Sequence, residues 1–178
     1  MGRMVALLRA VNVGGRKLPM AELRALCGTL GWTDVATYIQ SGNLVFSAPG
    51  TADEIETVLE KAIEKAFGLD VPVIVRSKAE WTKYPGLNPF PRAAKDEPAK
   101  LHLVLSKKPP ARGAADTIQA RAKAGEQVRQ AGDALWLHYP EGAGTSKLTP
   151  SLIDRAIGSP GTARNYNTLL KLLEMLEA

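Results

Sequence analysis

The chain has few of the residues that build disulfide-bonded, metal-binding or membrane-spanning proteins. Its one cysteine, Cys27, has no partner for a disulfide within the chain. Its two histidines, His102 and His138, match no metal-ligand spacing, so we expect no metal site and no cofactor and interpret both as structural. No run of about 18 apolar residues is present to cross a membrane. The N-terminus lacks the features of a signal peptide, and we therefore expect a cytoplasmic protein with no membrane partner.

The composition is that of an ordinary globular protein with an uneven positive charge. Apolar residues make up 45% of the chain, charged residues make up 23%, and the net charge is +5. Residues 92–132 hold nine Lys and Arg against four Asp and Glu. Such a region can bind nucleic acid through its phosphates, or it can be a solvated surface with no partner. The lysines do not line one helix face, and the glycine- and aromatic-rich motif of sheet-based RNA readers is missing.

Residues 1–76 show the pattern of a ferredoxin-like βαββαβ unit. Strands are predicted at residues 4–10, 35–39, 44–46 and 71–75, and helices at residues 19–30 and 51–68. The second helix begins with a capping box formed by Thr51 and Glu54. Cys27 falls on the apolar stripe of the first helix, so we expect its thiol to be buried and unreactive. Right-handed crossovers make the first two strands parallel, with the third strand between them.

The remainder of the chain is predicted to contain a connector and a second, related half. Residues 77–99 are expected to be an irregular Pro-rich connector, because Pro85, Pro89 and Pro91 oppose regular structure. Residues 100–178 are expected to form a second α+β half, βαββ followed by two helices rather than a fourth strand. Its strands are predicted at residues 100–105, 126–130 and 135–139, and its helices at residues 114–123, 150–157 and 165–176.

Polar and glycine residues follow the first two predicted strands. Because these strands are parallel, both segments leave the sheet at one end, and we expect Asn12, Gln40 and Asn43 to lie within one ligand length of each other. Gly14 and Gly15 expose backbone amides, although the third glycine of a dinucleotide fingerprint is missing. The candidate ligand-binding residues of this cluster are Arg9, Asn12, Gly14, Gly15, Lys17, Gln40, Ser41 and Asn43. The alternative is that the glycines form turns and the amides cap the backbone.

Four more candidate ligand-binding residues lie near the C-terminus, Lys147, Arg164, Asn165 and Asn167. Lys147 follows a Thr-Ser pair, which is the wrong order for a Walker phosphate loop, but a lysine on a flexible loop can still close over a ligand. Arg164 is predicted in the first turn of the last helix, where the helix dipole disfavours a cation. We therefore expect Arg164 to reach toward the acceptors around Asn12 and Gln40. Helix capping is the alternative for the surrounding polar residues.

The motifs of this chain resemble the bacterial domain-of-unknown-function family 1697. The resemblance rests on residues 7–15, 20–23, 37–43, 88–90, 146–148 and 162–168 and covers nearly the full length. Tyr166 stands where the family pattern has tryptophan. The resemblance implies a cytoplasmic α+β protein built of ferredoxin-like halves, and it implies no activity.

Three functional hypotheses follow from the sequence. In the first, the protein binds a small anionic or carbonyl-rich ligand at the polar strand ends, with catalysis left open. In the second, it is a nucleic-acid-binding module that uses the basic residues 92–132. In the third, it is a structural or interaction protein without a small ligand.

Overall fold

Two four-stranded antiparallel sheets form the framework of the protein. The computed structural model describes all residues, 1–178. The chain divides into two units, one formed by Met1–Lys83 together with Leu172–Ala178 and the other by Tyr84–Lys171. The predicted fold class, α+β with two similar halves, is confirmed. No helix has the length and apolar character needed to cross a membrane.

The first sheet has the predicted ferredoxin-like order. Its unit contains β1 (Gly2–Leu8), α1 (Met20–Thr29), β2 (Thr33–Tyr38), β3 (Asn43–Ala48), α2 (Ala52–Phe67) and β4 (Val73–Ser77). The strands lie in the order β2-β3-β1-β4, and β1 pairs antiparallel with both β3 and β4. As predicted, β1 and β2 are therefore parallel, with β3 between them.

The core of the first unit follows from its apolar strands and helix stripes. The predicted capping box is present, because the Thr51 hydroxyl accepts from the Glu54 N–H and the Glu54 carboxylate accepts from the Thr51 N–H. Residues of β1, β3 and α2 pack in one buried cluster with Cys27, whose side chain is fully buried. Each fully buried leucine or isoleucine contributes about 1.5–3 kcal/mol of transfer free energy.

The C-terminal residues 172–178 belong to the first unit. The Arg3 guanidinium donates to the Met175 carbonyl at 2.9 Å. Lys78 forms an ion pair with Glu177 at 3.6 Å. Leu172 and Leu176 are buried. The first unit is therefore built from both the beginning and the last turns of the chain.

The second sheet has one strand more than predicted. From residue 78 the elements are α3 (Lys78–Leu87), α4 (Pro91–Asp96), a 3-10 turn (Pro98–Lys100), β5 (Leu101–Ser106), α5 (Ala114–Gln119), β6 (Gln127–Ala131), β7 (Ala134–His138), α6 (Pro150–Ile157), β8 (Gly161–Asn165) and α7 (Tyr166–Glu177). The strand order is β6-β7-β5-β8. Both C-terminal helices are present as predicted, but β8 lies between them and pairs antiparallel with β5. A five-residue edge strand without apolar alternation leaves little signal in the sequence.

Two local predictions are wrong. Residues 77–99 are largely helical, since α3 accommodates Pro85 in its interior, Pro91 is the first residue of α4 and Pro98 begins the 3-10 turn. Proline is tolerated at the start of a helix, where its missing N–H needs no partner. Arg164 lies on β8 and not in the first turn of a helix, so the helix-dipole reason for its expected partner does not apply.

Candidate functional site

The loop after β1 and the turn after β2 meet at one end of the first sheet, as predicted. The Leu8 N–H donates to the Gly42 carbonyl at 2.9 Å. The Asn12 amide donates to the Gln40 carbonyl at 2.6 Å. An open cleft of about 520 Å³, which we call the strand-end cleft, is lined there by Asn12, Gly15, Arg16, Lys17, Pro19 and Gln40. The cleft lining therefore includes four predicted site residues.

Asn12 holds the cleft together. Its Oδ1 accepts from the Leu18 N–H at 2.9 Å, and its Nδ2 donates to the Leu18 carbonyl at 3.0 Å as well as to Gln40. Its own backbone is in the left-handed region, at φ 57°, which asparagine tolerates better than most residues. The side-chain amide of Asn12 therefore forms hydrogen bonds that hold the fold together.

The loop beside the cleft carries backbone donors that have no partner in the protein. Gly14 and Gly15 have φ of 56° and 80°. The N–H groups of Val13, Gly14 and Gly15 donate to no acceptor in the protein, and Lys17 is exposed beside them. Arg16 instead stabilises the loop, because its guanidinium donates to the backbone carbonyls of Ala10 and Asp70.

The turn beyond β2 is closely packed. Asn43 is fully buried, and its Nδ2 donates to the Tyr38 carbonyl and to the Ser41 hydroxyl, each at 3.0 Å. Gly42 has φ +84°, and a Cβ there would lie 2.7 Å from the Leu8 Cβ. Of the predicted site residues in this cluster, Arg9, Gly14, Ser41 and Asn43 do not line the cleft. Asn43 closes the turn, whereas Gln40 forms part of the cleft wall.

Lys147 lies in the second unit, in a cleft of about 420 Å³ that we call the α5–α6 groove. The groove is lined by Thr117, Arg121, Lys147, Thr149, Leu152, Arg155 and Ala156. The neighbouring Ser146 hydroxyl donates to the buried carboxylate of Glu126 at 2.6 Å. This hydrogen bond lowers the pKa of Glu126 and fixes the loop that presents Lys147.

Two of the three remaining C-terminal candidates, Arg164 and Asn165, have local partners. Arg164 is buried, and one of its guanidinium nitrogens donates to the Thr162 hydroxyl at 2.7 Å and to the Ala163 carbonyl at 2.9 Å. Burial lowers the pKa of Arg164 to about 10, which leaves it a cation at neutral pH. Asn165 caps α7, because its Oδ1 accepts from the Thr168 N–H at 2.9 Å. Asn167 is exposed in the first turn of that helix.

A third cleft, of about 750 Å³ in the second unit, contains an imidazole–carboxylate pair that the sequence patterns do not reveal. We call it the His138 cleft, and its lining includes Phe90, Arg92, Glu97, Arg129 and His138. His138 Nε2 lies 2.8 Å from Glu97 Oε2. The hydrogen bond from His138 is the main cause that lowers the pKa of Glu97. Arg129 stacks over the Phe90 ring, with 5.1 Å between the guanidinium carbon and the ring centroid.

The two histidines therefore differ. The Nδ1 atom of His102 is buried without a partner, and burial lowers the pKa of this imidazole and favours its neutral form. His138 instead faces a cleft, where the Glu97 carboxylate fixes the orientation of its imidazole. Forty-one residues separate Glu97 from His138, which is why no short motif marks the pair. No group of three or more His, Cys, Asp or Glu side chains is placed to hold a metal ion.

Comparisons with known proteins identify a family and a fold. A family model described as "Protein of unknown function (DUF1697)" matches residues 1–136. The solved structure described as "conserved bacterial protein SP0830 from Streptococcus pneumoniae" is similar to this chain, with a TM-score of 0.72 and 19% identity over 98% of both chains. At this identity the likeness concerns the fold alone. No curated protein matches the chain.

Proposed function

The chain belongs to the family of proteins of unknown function DUF1697, and we propose that this member binds a small anionic or carbonyl-rich ligand in the strand-end cleft. The observation that carries the proposal is the run of three N–H groups, at Val13, Gly14 and Gly15, that have no acceptor in the protein. Gly15 lines the cleft together with exposed Lys17, and Val13 and Gly14 precede it in the same loop. No acidic residue lies in the cleft lining. The cleft therefore offers donors and needs a ligand rich in acceptors.

The chemistry of these donors favours a carboxylate or a phosphate. Successive backbone N–H groups in left-handed or turn conformations bind anions, and charge-assisted hydrogen bonds are about twice as strong as neutral ones. The cleft volume of about 520 Å³ lies within the range of about 300–1,000 Å³ that small-molecule sites occupy. Asn12 and Asn43 support the site by holding its walls in place, and the ligand contacts fall to Lys17, the Gln40 side chain and the glycine amides.

The test is a titration of the full chain followed by amide NMR and thermal shift. The probes are citrate, AMP, glucose 6-phosphate and a short oligoribonucleotide. We expect the Gly14 and Gly15 amide resonances to move with at least one small anion. Lys17→Gln should weaken that binding about tenfold, which is about 1.4 kcal/mol. Lys61→Gln, which removes an exposed cation on α2 outside the cleft, is the matched control and should change nothing.

Two results would contradict the proposal. One is the absence of any shift at Gly14 and Gly15 with millimolar small anions. The other is binding of the oligoribonucleotide alone, with an affinity that falls steeply as salt rises, which is the behaviour of a nucleic-acid-binding module.

A further inference from the structure

Three cationic side chains line the α5–α6 groove of the second unit. Arg121, Lys147 and Arg155 all line it, and no Asp or Glu does. None of the three side chains forms an ion pair or a hydrogen bond within the protein. We propose that this groove binds the phosphate group of a small phosphomonoester. The proposal is independent of the strand-end cleft.

The three cations reach the groove from three separate segments. Arg121 follows the end of α5, Lys147 precedes α6, and Arg155 lies in the last turn of α6. Like charges gathered on one groove repel each other, and a dianion would remove that repulsion. Donors that approach from three segments match the three free oxygens of a phosphate ester, and arginine in particular binds phosphate through paired hydrogen bonds.

The loop that carries Lys147 is held in place from beneath. The Ser146 hydroxyl donates to Glu126 and accepts from the Leu148 N–H at 3.1 Å. Glu126 also accepts from the Ala124 N–H at 2.6 Å, and both Glu126 and Leu148 are buried. Lys147 is therefore flanked by two anchored residues, which lowers the entropy lost when its ammonium group binds an anion.

The helix terminus contributes little to this site. Pro150 is the first residue of α6 and has no N–H, and the Leu152 N–H is already capped by the Thr149 hydroxyl at 3.3 Å. Recognition of the phosphate therefore falls to side chains of the lining, the three cations above all. Leu152 and Ala156 give the groove an apolar wall, against which the organic part of a phosphate ester can pack. The volume of about 420 Å³ suits a ligand of sugar-phosphate size.

The experiment measures binding of glucose 6-phosphate and of inorganic phosphate to the full chain by calorimetry and amide NMR. We expect shifts at the Lys147 and Thr149 amides with both probes. The double variant Lys147→Gln and Arg155→Gln should raise Kd by about a hundredfold, since each lost charge-assisted contact is worth about tenfold. Because both side chains are exposed and unpaired, the variant should keep the thermal stability of the parent.

Two controls separate this site from other anion binding. Lys123→Gln removes an exposed cation of the same region that does not line the groove, and it should leave Kd within about twofold of the parent value. Lys17→Gln tests the strand-end cleft and should not affect the shifts at Lys147. The proposal is overturned if glucose 6-phosphate does not bind at 10 mM, a concentration on the order of the weakest specific sites. Binding that the double variant leaves unchanged, or binding of an oligoribonucleotide in place of both probes, also overturns it.

Discussion

The two units place a loop at the same point of the same topology and use it differently. In the first unit the loop between β1 and α1 contains Gly14 and Gly15 and leaves three N–H groups without protein acceptors. In the second unit the loop between β5 and α5 contains Pro109 and Pro110, which have no N–H. There the Lys107 N–H donates to the Pro160 carbonyl at 3.0 Å.

The contrast shows that the topology determines where the loop lies and that the residues of the loop determine whether its N–H groups have acceptors. The second loop is tied further, because the Lys108 N–H donates to the Ser159 hydroxyl at 3.1 Å and the Ala111 N–H donates to the Ile157 carbonyl at 2.9 Å. Three of its five N–H groups, those of Lys107, Lys108 and Ala111, are thus used by neighbouring backbone and side-chain acceptors. The second unit correspondingly carries its clefts on side chains, in the α5–α6 groove and the His138 cleft.

Gly42→Ala should give the largest difference between the units. A Cβ at Gly42 would lie 2.7 Å from the Leu8 Cβ, and the backbone there has φ +84°. Left-handed strain of about 1–2 kcal/mol and overpacking of about 1–3 kcal/mol together predict a loss of about 3 kcal/mol in the free energy of unfolding. The matched variant is Gly132→Ala in the β6–β7 turn, at φ +62° with the Leu87 Cδ1 at 3.4 Å. Urea denaturation should show a loss of only about 1–2 kcal/mol there; equal losses would contradict the comparison.

Asn12→Ala should have the next largest effect. The substitution removes three hydrogen bonds that join the cleft loop to Leu18 and Gln40. We expect a loss of about 2 kcal/mol in the free energy of unfolding. Lys108→Ala, in the corresponding loop of the second unit, removes an exposed side chain and should cost less than about 0.5 kcal/mol. The free energies of unfolding of the two variants test this prediction. An Asn12→Ala variant as stable as the parent protein would show that the three Asn12 hydrogen bonds are dispensable.

The hydrogen bond between Glu97 and His138 in the second unit should contribute to the pH dependence of stability, with an effect smaller than those of the two substitutions above. The pKa of Glu97 is lowered in the folded protein, chiefly by its hydrogen bond with His138. Its contribution is therefore present above the unfolded pKa of about 4.3 and is lost as pH falls through the lower folded pKa. Glu97→Gln should make the fall in Tm below about pH 4.5 shallower. An unchanged profile would mean that the pair adds nothing to stability.

The smallest effect is expected at Cys27, whose thiol should not react in the native state. It is fully buried, and burial raises its pKa to about 12. Labelling with a thiol reagent should follow opening of the first unit, so Gly42→Ala should speed it and Gly132→Ala should not. Rapid labelling of the parent protein would contradict both the burial and this use of Cys27 as a reporter.

The parts of the fold that the sequence predicts are those with strong local signals. The apolar strands and the capping box at Thr51 define the first unit, and right-handed crossovers correctly place Asn12 beside Gln40. The sequence does not predict strand β8, because its five residues, GTARN, carry no apolar alternation and owe their extended form to pairing with β5. For the same reason the sequence pattern places Arg164 in a helix and not on a strand.

The candidate site is predicted less completely. Topology sets the position of the backbone, so the sequence predicts that the two loops meet. It does not predict that the Asn12 and Asn43 side-chain amides form hydrogen bonds within the fold, because these depend on contacts over distances of a few ångströms. The pairing of Glu97 with His138, and of Lys147 with two arginines, joins residues that no local pattern connects. Such groupings follow from tertiary packing alone.

The hydrogen bond from Arg3 to Met175 has a consequence for synthesis on the ribosome. The first unit lacks residues 172–178 until the entire second unit has been translated. The N-terminal sheet can form early, but it must wait for nearly ninety intervening residues, about 5–20 seconds at about 5–20 residues per second, before its last segment exists. The unit that is translated first is thus completed only after residues 84–171 of the other unit have been made.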